Sequence, residues 1–246
     1  MGRSAGVKPM RWRVAAYATM ASVLALTAAC GTDQDPTGTP TPSGEPTATV
    51  SATTPALPGE PIDIGPSEAD VVAVVGVRHD DVLHLRAAPG PDEDSLATLD
   101  PLADDLVAQG QSRKLEDSVW YLVSVDGRAG WVNGSYVQYL GGVDDVTSMV
   151  IDQIGSTPRA ATMQELGRIV AEQRASIEPA SRITMTVPAS LGSLGEVTYD
   201  VVGLGDDSIG GFRLHVFGTP DEDDFVLESV EQTVLCWRGV SDGLCV

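Results

Sequence analysis

The chain has 246 residues, of which 35 are acidic and 15 are basic, so its formal net charge is −20. A charge of this sign repels the phosphates of nucleic acids and anionic lipid headgroups, and nucleic acid is therefore excluded as an expected partner. The acidic residues are spread along the chain, which is typical of a solvated surface and not of a dedicated acidic site.

The first 29 residues have the order of an export signal. Four basic residues and no acidic residue come first, and a run of 16 apolar or small residues at positions 14–29 follows and stops at Cys30. This run is shorter than the roughly 20 residues that a membrane-spanning helix needs. We therefore predict a signal peptide over residues 1–29. Its removal takes away four basic residues and changes the net charge from −20 to −24.

Residues 26–30, Leu-Thr-Ala-Ala-Cys, resemble the lipobox of bacterial lipoproteins. The resemblance implies that Cys30 carries a lipid and becomes the mature N-terminus. The expected location is the outer face of the bacterial cell membrane, with the protein held there by its lipid. The alternative is secretion, because an ordinary signal peptidase also accepts small residues such as Thr27 and Ala29 before its cleavage site.

Residues 30–66 are predicted to form a disordered tether. Positions 31–60 contain eight Thr, six Pro and four Gly, with no aromatic residue, Lys or Arg. Such a segment buries too little apolar surface to offset the conformational entropy lost on folding. The tether would hold the folded part of the chain away from the lipid.

Short apolar runs dominate residues 67–141, and turn residues separate them. Asp126-Gly127 stands between two of these runs, which is a strong signal for a two-residue hairpin. Closely spaced strands without a helical period predict a small all-β barrel.

Three segments of this region resemble bacterial SH3-like (SH3b) domains. They are Leu-His-Leu-Arg-Ala-Ala-Pro-Gly at 83–90, Trp-Tyr-Leu-Val at 120–123, and Gly-Trp-Val-Asn-Gly-Ser-Tyr-Val at 130–137. Their order and spacing agree with the family. The resemblance implies an SH3-like β-barrel that binds cell-wall peptide or glycan.

Four residues of the region are candidate ligand contacts. Trp131 and Tyr136 offer flat faces for stacking, and Arg86 offers a forked donor for a carboxylate. His84 occupies a polar strand position of the SH3b motif, which the resemblance implies lines a groove. The alternative for the aromatic residues is a place in the core, which is the role we predict for Trp120.

No metal site and no cofactor are predicted. His79 and His84 flank an Asp-Asp turn, but their spacing matches no standard set of metal ligands. The acidic run at residues 221–224 is not followed by the calcium-binding pattern of an EF-hand and is typical of a solvated hairpin turn.

The pattern changes to a helical period after Gly141-Gly142, where we place a domain boundary. Residues 146–154 and 162–177 predict two helices, and Thr162 and Glu165 form a capping box at the start of the second. The period then returns to that of strands at residues 183–187, 197–202, 212–217 and 225–235. Residues 142–246 are thus predicted to be an α+β domain, with two helices packed on a four-stranded antiparallel meander.

Two features of this second region bear on its chemistry. Cys236 and Cys245 are predicted to form a disulfide at the C-terminus, because the chain is exported. The region contains one histidine, His215, and no Gly-x-Ser-x-Gly frame, so no catalytic residue is predicted.

These patterns predict a non-enzymatic cell-surface lipoprotein. Its SH3-like domain would bind cell-wall peptidoglycan, by peptide or glycan, or an exported partner protein. Two alternatives stay open. One is an envelope hydrolase that the SH3-like domain targets to its substrate. The other is a sensor or inhibitor subunit that docks an exported partner.

The lipobox generates a prediction about location. In cells that express the wild type, the protein should extract with detergent from the membrane fraction, and its mass should include a diacylglyceryl group. Cys30→Ala should leave the precursor unprocessed or release the protein into the medium. Unchanged fractionation of Cys30→Ala, together with an unmodified mature mass, would contradict acylation of Cys30.

Overall fold

The computed structural model describes residues 56–246. The predicted signal peptide, Cys30 and the tether up to residue 55 lie outside the described residues. Within residues 56–246 the protein is mostly β, with 51% of residues in strands and 12% in helices.

The strands are, in chain order, β1 Glu60–Ile62, β2 Val71–Val74, β3 Leu83–Arg86, β4 Ser95–Leu99, β5 Leu106–Lys114, β6 Val119–Val125, β7 Arg128–Asn133, β8 Val137–Asp145, β9 Arg159–Ala160, β10 Arg182–Leu191, β11 Gly195–Val202, β12 Ile209–Asp221, β13 Asp224–Cys236, β14 Val240–Ser241 and β15 Leu244–Cys245. The helices are α1 Thr147–Ile154 and α2 Met163–Arg174, with a 3-10 turn at Gly134–Tyr136.

The first strand lies inside the segment that the sequence assigns to the tether. β1 pairs antiparallel with β5. Next to it, Nη1 of Arg113 donates to the carbonyl oxygens of Leu57, Pro58 and Gly59 at 2.7, 3.1 and 2.8 Å. Ordered structure therefore begins before residue 67.

Thirteen of the described strands form one antiparallel sheet. Its order is β10-β11-β12-β13-β8-β2-β5-β6-β7-β3-β4, with β1 attached to β5 and β9 attached to β13. The prediction of a small SH3-like barrel followed by a separate α+β domain is wrong, because this sheet runs through both regions. The described residues form a single compact unit.

The continuity comes from β8, which runs through the expected domain boundary. Its first residues pair with β2, and its later residues pair with β13. The two glycines at 141 and 142 serve close packing here. A Cβ on Gly141 would lie 2.4 Å from Cγ1 of Val234, and the amide of Gly142 donates to the carbonyl of Gly243 at 2.6 Å. This Gly-Gly pair thus allows the C-terminal tail to approach a strand closely.

The two helices pack on one face of the C-terminal strands. Their buried residues share a core with alternate residues of β11, β12 and β13. Thr162 caps α2 by accepting a hydrogen bond from the amide of Glu165 at 3.1 Å. No helix within residues 56–246 is long and apolar enough to cross a membrane.

A second core lies among the N-terminal strands, and it includes Tyr139 of β8 and Cys236 of β13. A third, small core lies where the two sets of strands meet, and it contains Val75, Val202 and Leu235. Residues from both predicted domains share these two cores, whereas the core under the helices is made of residues 146–230 alone.

A buried ion pair crosses the same junction. Asp200 of β11 is fully buried, and its Oδ1 and Oδ2 accept from Nε and Nη2 of Arg213 at 2.8 and 2.9 Å. The amide of Gly76 donates to Oδ2 of Asp200 at 2.8 Å. Nη2 of Arg213 also donates to the carbonyls of Val74 and Pro101, at 2.8 and 3.3 Å. The pair therefore links β11 and β12 to the chain after β2 and after β4.

The C-terminal tail folds back on the sheet. The Sγ atoms of Cys236 and Cys245 lie 1.98 Å apart, which is a disulfide distance. Closing a loop of ten residues stabilises the folded state by about 2.7 kcal/mol in the chain-entropy account of disulfides. The bridge holds the tail against the glycines of β8.

The buried pair generates a prediction about stability. Arg213→Ala leaves the Asp200 carboxylate buried without its partner, so the free energy of unfolding should fall by about 3–5 kcal/mol. Urea denaturation of the wild type and the variant measures this loss. Both proteins should unfold in one cooperative transition, because residues 56–246 form one unit.

The control is Arg168→Ala, which removes an exposed pair with Glu172 on α2. This variant should lower the free energy of unfolding by about 0.5 kcal/mol or less. Two separate unfolding transitions in the wild type, or equal losses for the two variants, would contradict the role of the buried pair.

Candidate functional site

A groove of about 420 Å³ opens between the N-terminal strands and β10. We name it the arginine groove. Its chemistry comes from three arginines, two aromatic residues and a histidine, namely Arg78, Arg86, Arg182, Trp120, Tyr136 and His84. The lining also includes apolar residues of the β2–β3 segment and one acidic residue, Asp81. Such a mixture of apolar surface and a few charged groups is typical of a ligand site.

Three of the four predicted ligand residues meet in this groove. His84 and Arg86 alternate with buried leucines along β3, so both project to the same outer face of the sheet. Tyr136 reaches the groove from the 3-10 turn after β7. The side-chain oxygen of Asn133 accepts from the amide of Ser135 at 2.9 Å and thereby shapes this turn.

Two of the three arginines have no ion-pair partner among residues 56–246. Arg86 donates through Nη1 to the carbonyl of Glu93 at 2.6 Å, and none of the described carboxylates lies within salt-bridge distance of Arg86 or Arg182. Arg86 therefore makes no ion pair with an acidic residue of the described chain.

The third arginine is neutralised locally. Nε of Arg78 donates to Oδ1 of Asp80 at 2.8 Å, and a second contact joins Nη2 to Oδ2. The hydrogen bond with Arg78 lowers the pKa of the Asp80 carboxyl, and it raises the pKa of the Arg78 guanidinium. Because Arg78 and Asp80 are both exposed and paired, the free positive charge of the groove comes from Arg86 and Arg182.

Arg182 is held by contacts that leave most of its donors unused. Its guanidinium carbon lies 4.9 Å from the centre of the Tyr136 ring, in a cation–π arrangement. Nη2 makes one long hydrogen bond, of 3.4 Å, to the carbonyl of Ser135. Gly76 also lies close to the guanidinium, because a Cβ on it would come within 2.6 Å of Nη2. The guanidinium is thus positioned before any ligand arrives.

His84 adds a polar side chain. Its Nδ1 lies 2.8 Å from Oγ of Ser95, which in turn donates to the carbonyl of Ala97 at 3.1 Å. Since the Ser95 hydroxyl proton is used on Ala97, the hydrogen of the shared bond belongs to Nδ1. In the neutral tautomer that carries its hydrogen on Nδ1, Nε2 is an acceptor.

Trp131, the fourth predicted ligand residue, is not part of the groove. It pairs directly with Arg86 across β7 and β3, so the two side chains project to the same face of the sheet. Its exposed fraction is only 3%, and it is absent from the lining of the groove. Trp120, for which we predict a place in the core, differs from Trp131 in its relation to the groove. It is also only 3% exposed, but it lines the groove, and its Nε1 donates to Oγ of Ser118 at 2.9 Å.

Other candidate clusters give weaker sites. Nε2 of His215 lies 3.3 Å from Oε2 of Glu196, on the face of the C-terminal strands that the helices leave open. Oε1 of Glu196 accepts a hydrogen bond from the hydroxyl of Ser190. The acidic turn after β12 is paired with Arg159, which contacts Asp221 and Asp224. No group of three potential metal ligands is found within the part of the chain that the structure describes.

Sequence reasoning missed Arg182, Gly76 and Thr184, which all line the groove. Arg182 is one of eleven basic residues after position 29, and this scarcity is the only sequence signal that marks it. Its approach to Tyr136 depends on the junction between the two sets of strands, which no local pattern reveals.

Comparisons of this chain with known protein families, curated proteins and solved structures find no match. Its function is therefore inferred from the groove itself.

The burial of Trp131 generates a prediction. Trp131→Ala removes a large buried side chain, so the free energy of unfolding should fall by about 3–5 kcal/mol in chemical denaturation. Trp237→Ala, at a position that is 40% exposed, is the control and should cost about 1 kcal/mol or less. A stable, folded Trp131→Ala protein would instead return Trp131 to the list of ligand contacts.

Proposed function

We propose that this chain is a lipid-anchored binding protein of the outer face of the bacterial membrane, and that its arginine groove binds the peptide part of cell-wall peptidoglycan. The observation that carries this proposal is that Arg86 and Arg182, which have no ion-pair partner among residues 56–246, line one groove together with Tyr136. These groups supply charge and a flat apolar face, the two elements that orient a short peptide.

The size of the groove favours a short chain over a protein partner. Its volume of about 420 Å³ is within the range of small-molecule and peptide pockets. A stable protein–protein contact usually buries about 800 Å² on each partner, over a broad surface. A wall peptide, with small side chains and free carboxylates, fits the groove better.

The predicted anchor supports the same ligand. Ordered structure is already present at β1, so about 30 residues separate it from Cys30. A random coil of this length, as predicted for the tether from its composition, has a root-mean-square reach of about 30 Å. The groove would then lie in the wall layer next to the membrane, where peptidoglycan peptides are abundant.

Co-sedimentation with purified wall sacculi tests the proposal. The protein from residue 31 onward, which retains the whole compact unit, should pellet with sacculi in a saturable manner. Tyr136→Leu should weaken binding about tenfold or less, because it keeps apolar bulk but removes the ring face. Arg86→Gln should weaken binding about tenfold or more, because it removes a charged donor.

Arg128→Gln is the matched control. Arg128 is an exposed arginine at the β6–β7 hairpin, where it donates to the carbonyl of Leu96, and it does not line the groove. Its variant should bind like the wild type. Failure of the wild type to pellet with sacculi would overturn the proposal, as would binding that instead requires an exported protein in the mixture.

A further inference from the structure

We infer that the chemical group recognised in the arginine groove is a carboxylate, held between Arg86 and Arg182. This inference rests on the proposed function and names the chemical group of the wall peptide that the groove binds. It also assigns a specificity role to Arg182, a residue of the C-terminal strands that no sequence motif marks.

The first step concerns hydrogen-bonding capacity. A guanidinium has five N–H donors in a rigid fork, and a carboxylate accepts from such a fork through both oxygens. Arg86 uses Nη1 on a single backbone carbonyl, and Arg182 makes only one long hydrogen bond to a carbonyl. Several donors on each residue thus remain for a ligand.

The second step concerns local charge. Asp81 is an acidic residue in the lining, and its Oδ1 accepts from the amide of Val82 at 2.8 Å. Arg78 and Asp80 neutralise each other at the rim. Asp81 contributes one negative charge to the lining against the two positive charges of Arg86 and Arg182, so the lining keeps a net positive charge in a chain whose net charge is −20. An anionic group is favoured there, and a neutral sugar would leave both guanidiniums without a counter-charge.

The third step concerns the kind of anion. Guanidinium forks bind phosphates as well as carboxylates. The same groove is lined by Val77, Val82 and Leu83, next to the Tyr136 ring. This apolar lining suits the small aliphatic side chains of a peptide, whereas a polyphosphate chain would place charge against it. The net charge of −20 on the chain would also repel a polyanion.

The fourth step concerns pre-organisation. The Arg182 guanidinium packs against the Tyr136 ring and lies close to Gly76, although the residue as a whole is exposed. A donor that is already restrained loses less conformational entropy when a ligand binds. Arg182 is therefore a specificity residue built into the junction of the sheet.

The test uses three preparations of sacculi with the protein from residue 31 onward. The first preparation is untreated. In the second, carbodiimide and methylamine convert carboxylates to neutral amides. In the third, hydrofluoric acid removes phosphate-linked polymers and leaves the peptides. Amidation should weaken binding at least tenfold, and acid treatment should leave it unchanged.

Variants then assign the effect to the groove. Arg182→Gln should bind untreated sacculi as weakly as the wild type binds amidated sacculi, and amidation should weaken it little further. Arg182→Lys should recover part of the binding, because it restores the charge without the fork. Arg128→Gln should keep the full sensitivity to amidation. The urea midpoint of each variant verifies that the fold is intact.

The outcomes separate the inference from the proposed function. If the wild type does not bind untreated sacculi, the proposed function fails. If it binds untreated and amidated sacculi equally, the proposed function stands and the carboxylate inference is wrong. Loss of binding only after acid treatment would identify a phosphate polymer as the ligand and overturn the inference. An Arg182→Gln variant that keeps its sensitivity to amidation would remove Arg182 from the site.

Discussion

The buried pair of Asp200 and Arg213 is the interaction on which the rest of the structure depends. A carboxylate with no exposed surface is costly to remove from water unless hydrogen bonds satisfy it. Here both of its oxygens accept from Arg213, and one also accepts from the amide of Gly76. Gly76 has a φ of 64°, in the left-handed region that favours glycine, and it lies against the guanidinium of Arg182. The pair that joins the two sets of strands therefore also fixes one wall of the arginine groove, although neither Asp200 nor Arg213 lines it.

Local elements of this fold could be predicted from the sequence because their signals are short in range. The Asp126-Gly127 turn has φ values of 51° and 75°, as a two-residue hairpin with both positions left-handed requires. The periodic segments likewise become α1 and α2, and Thr162 caps the second helix. The assembly could not be predicted in the same way. A Gly-Gly pair is found both in linkers and at sites of close packing, so the sequence Gly141-Gly142 does not distinguish these roles. The position of Gly243 in the folded chain shows that this pair is a site of close packing.

The candidate site was predictable to the extent that it lies within one motif. His84 and Arg86 are neighbours on β3, and strand alternation alone places them on one face. Trp131 shares that face through its pairing with Arg86, yet it is buried. Alternation gives the direction of a side chain but not what covers it. Arg182 could not be predicted for a different reason. It lies in the groove because β8 joins the sheet from β2 to β13. A resemblance that spans the N-terminal strands alone could not include it.

The chain is acidic as a whole, whereas the groove is positive, and these two charges would act on an anionic ligand at different distances. Electrostatic interactions between exposed charges are screened beyond about 8 Å at physiological ionic strength. The acidic residues that surround the groove at greater distances therefore contribute little once a ligand is seated, whereas Arg86 and Arg182 act at contact distance. While a ligand approaches, the repulsion by the acidic residues outweighs the attraction by the groove, because an anionic polymer meets the net charge of the whole protein before it reaches the groove. A short segment with an isolated carboxylate experiences less of this repulsion than a continuous polyanion does. In the proposed function, the net negative charge of the chain would disfavour dense negative charge, and the arginine groove would pair with a single carboxylate.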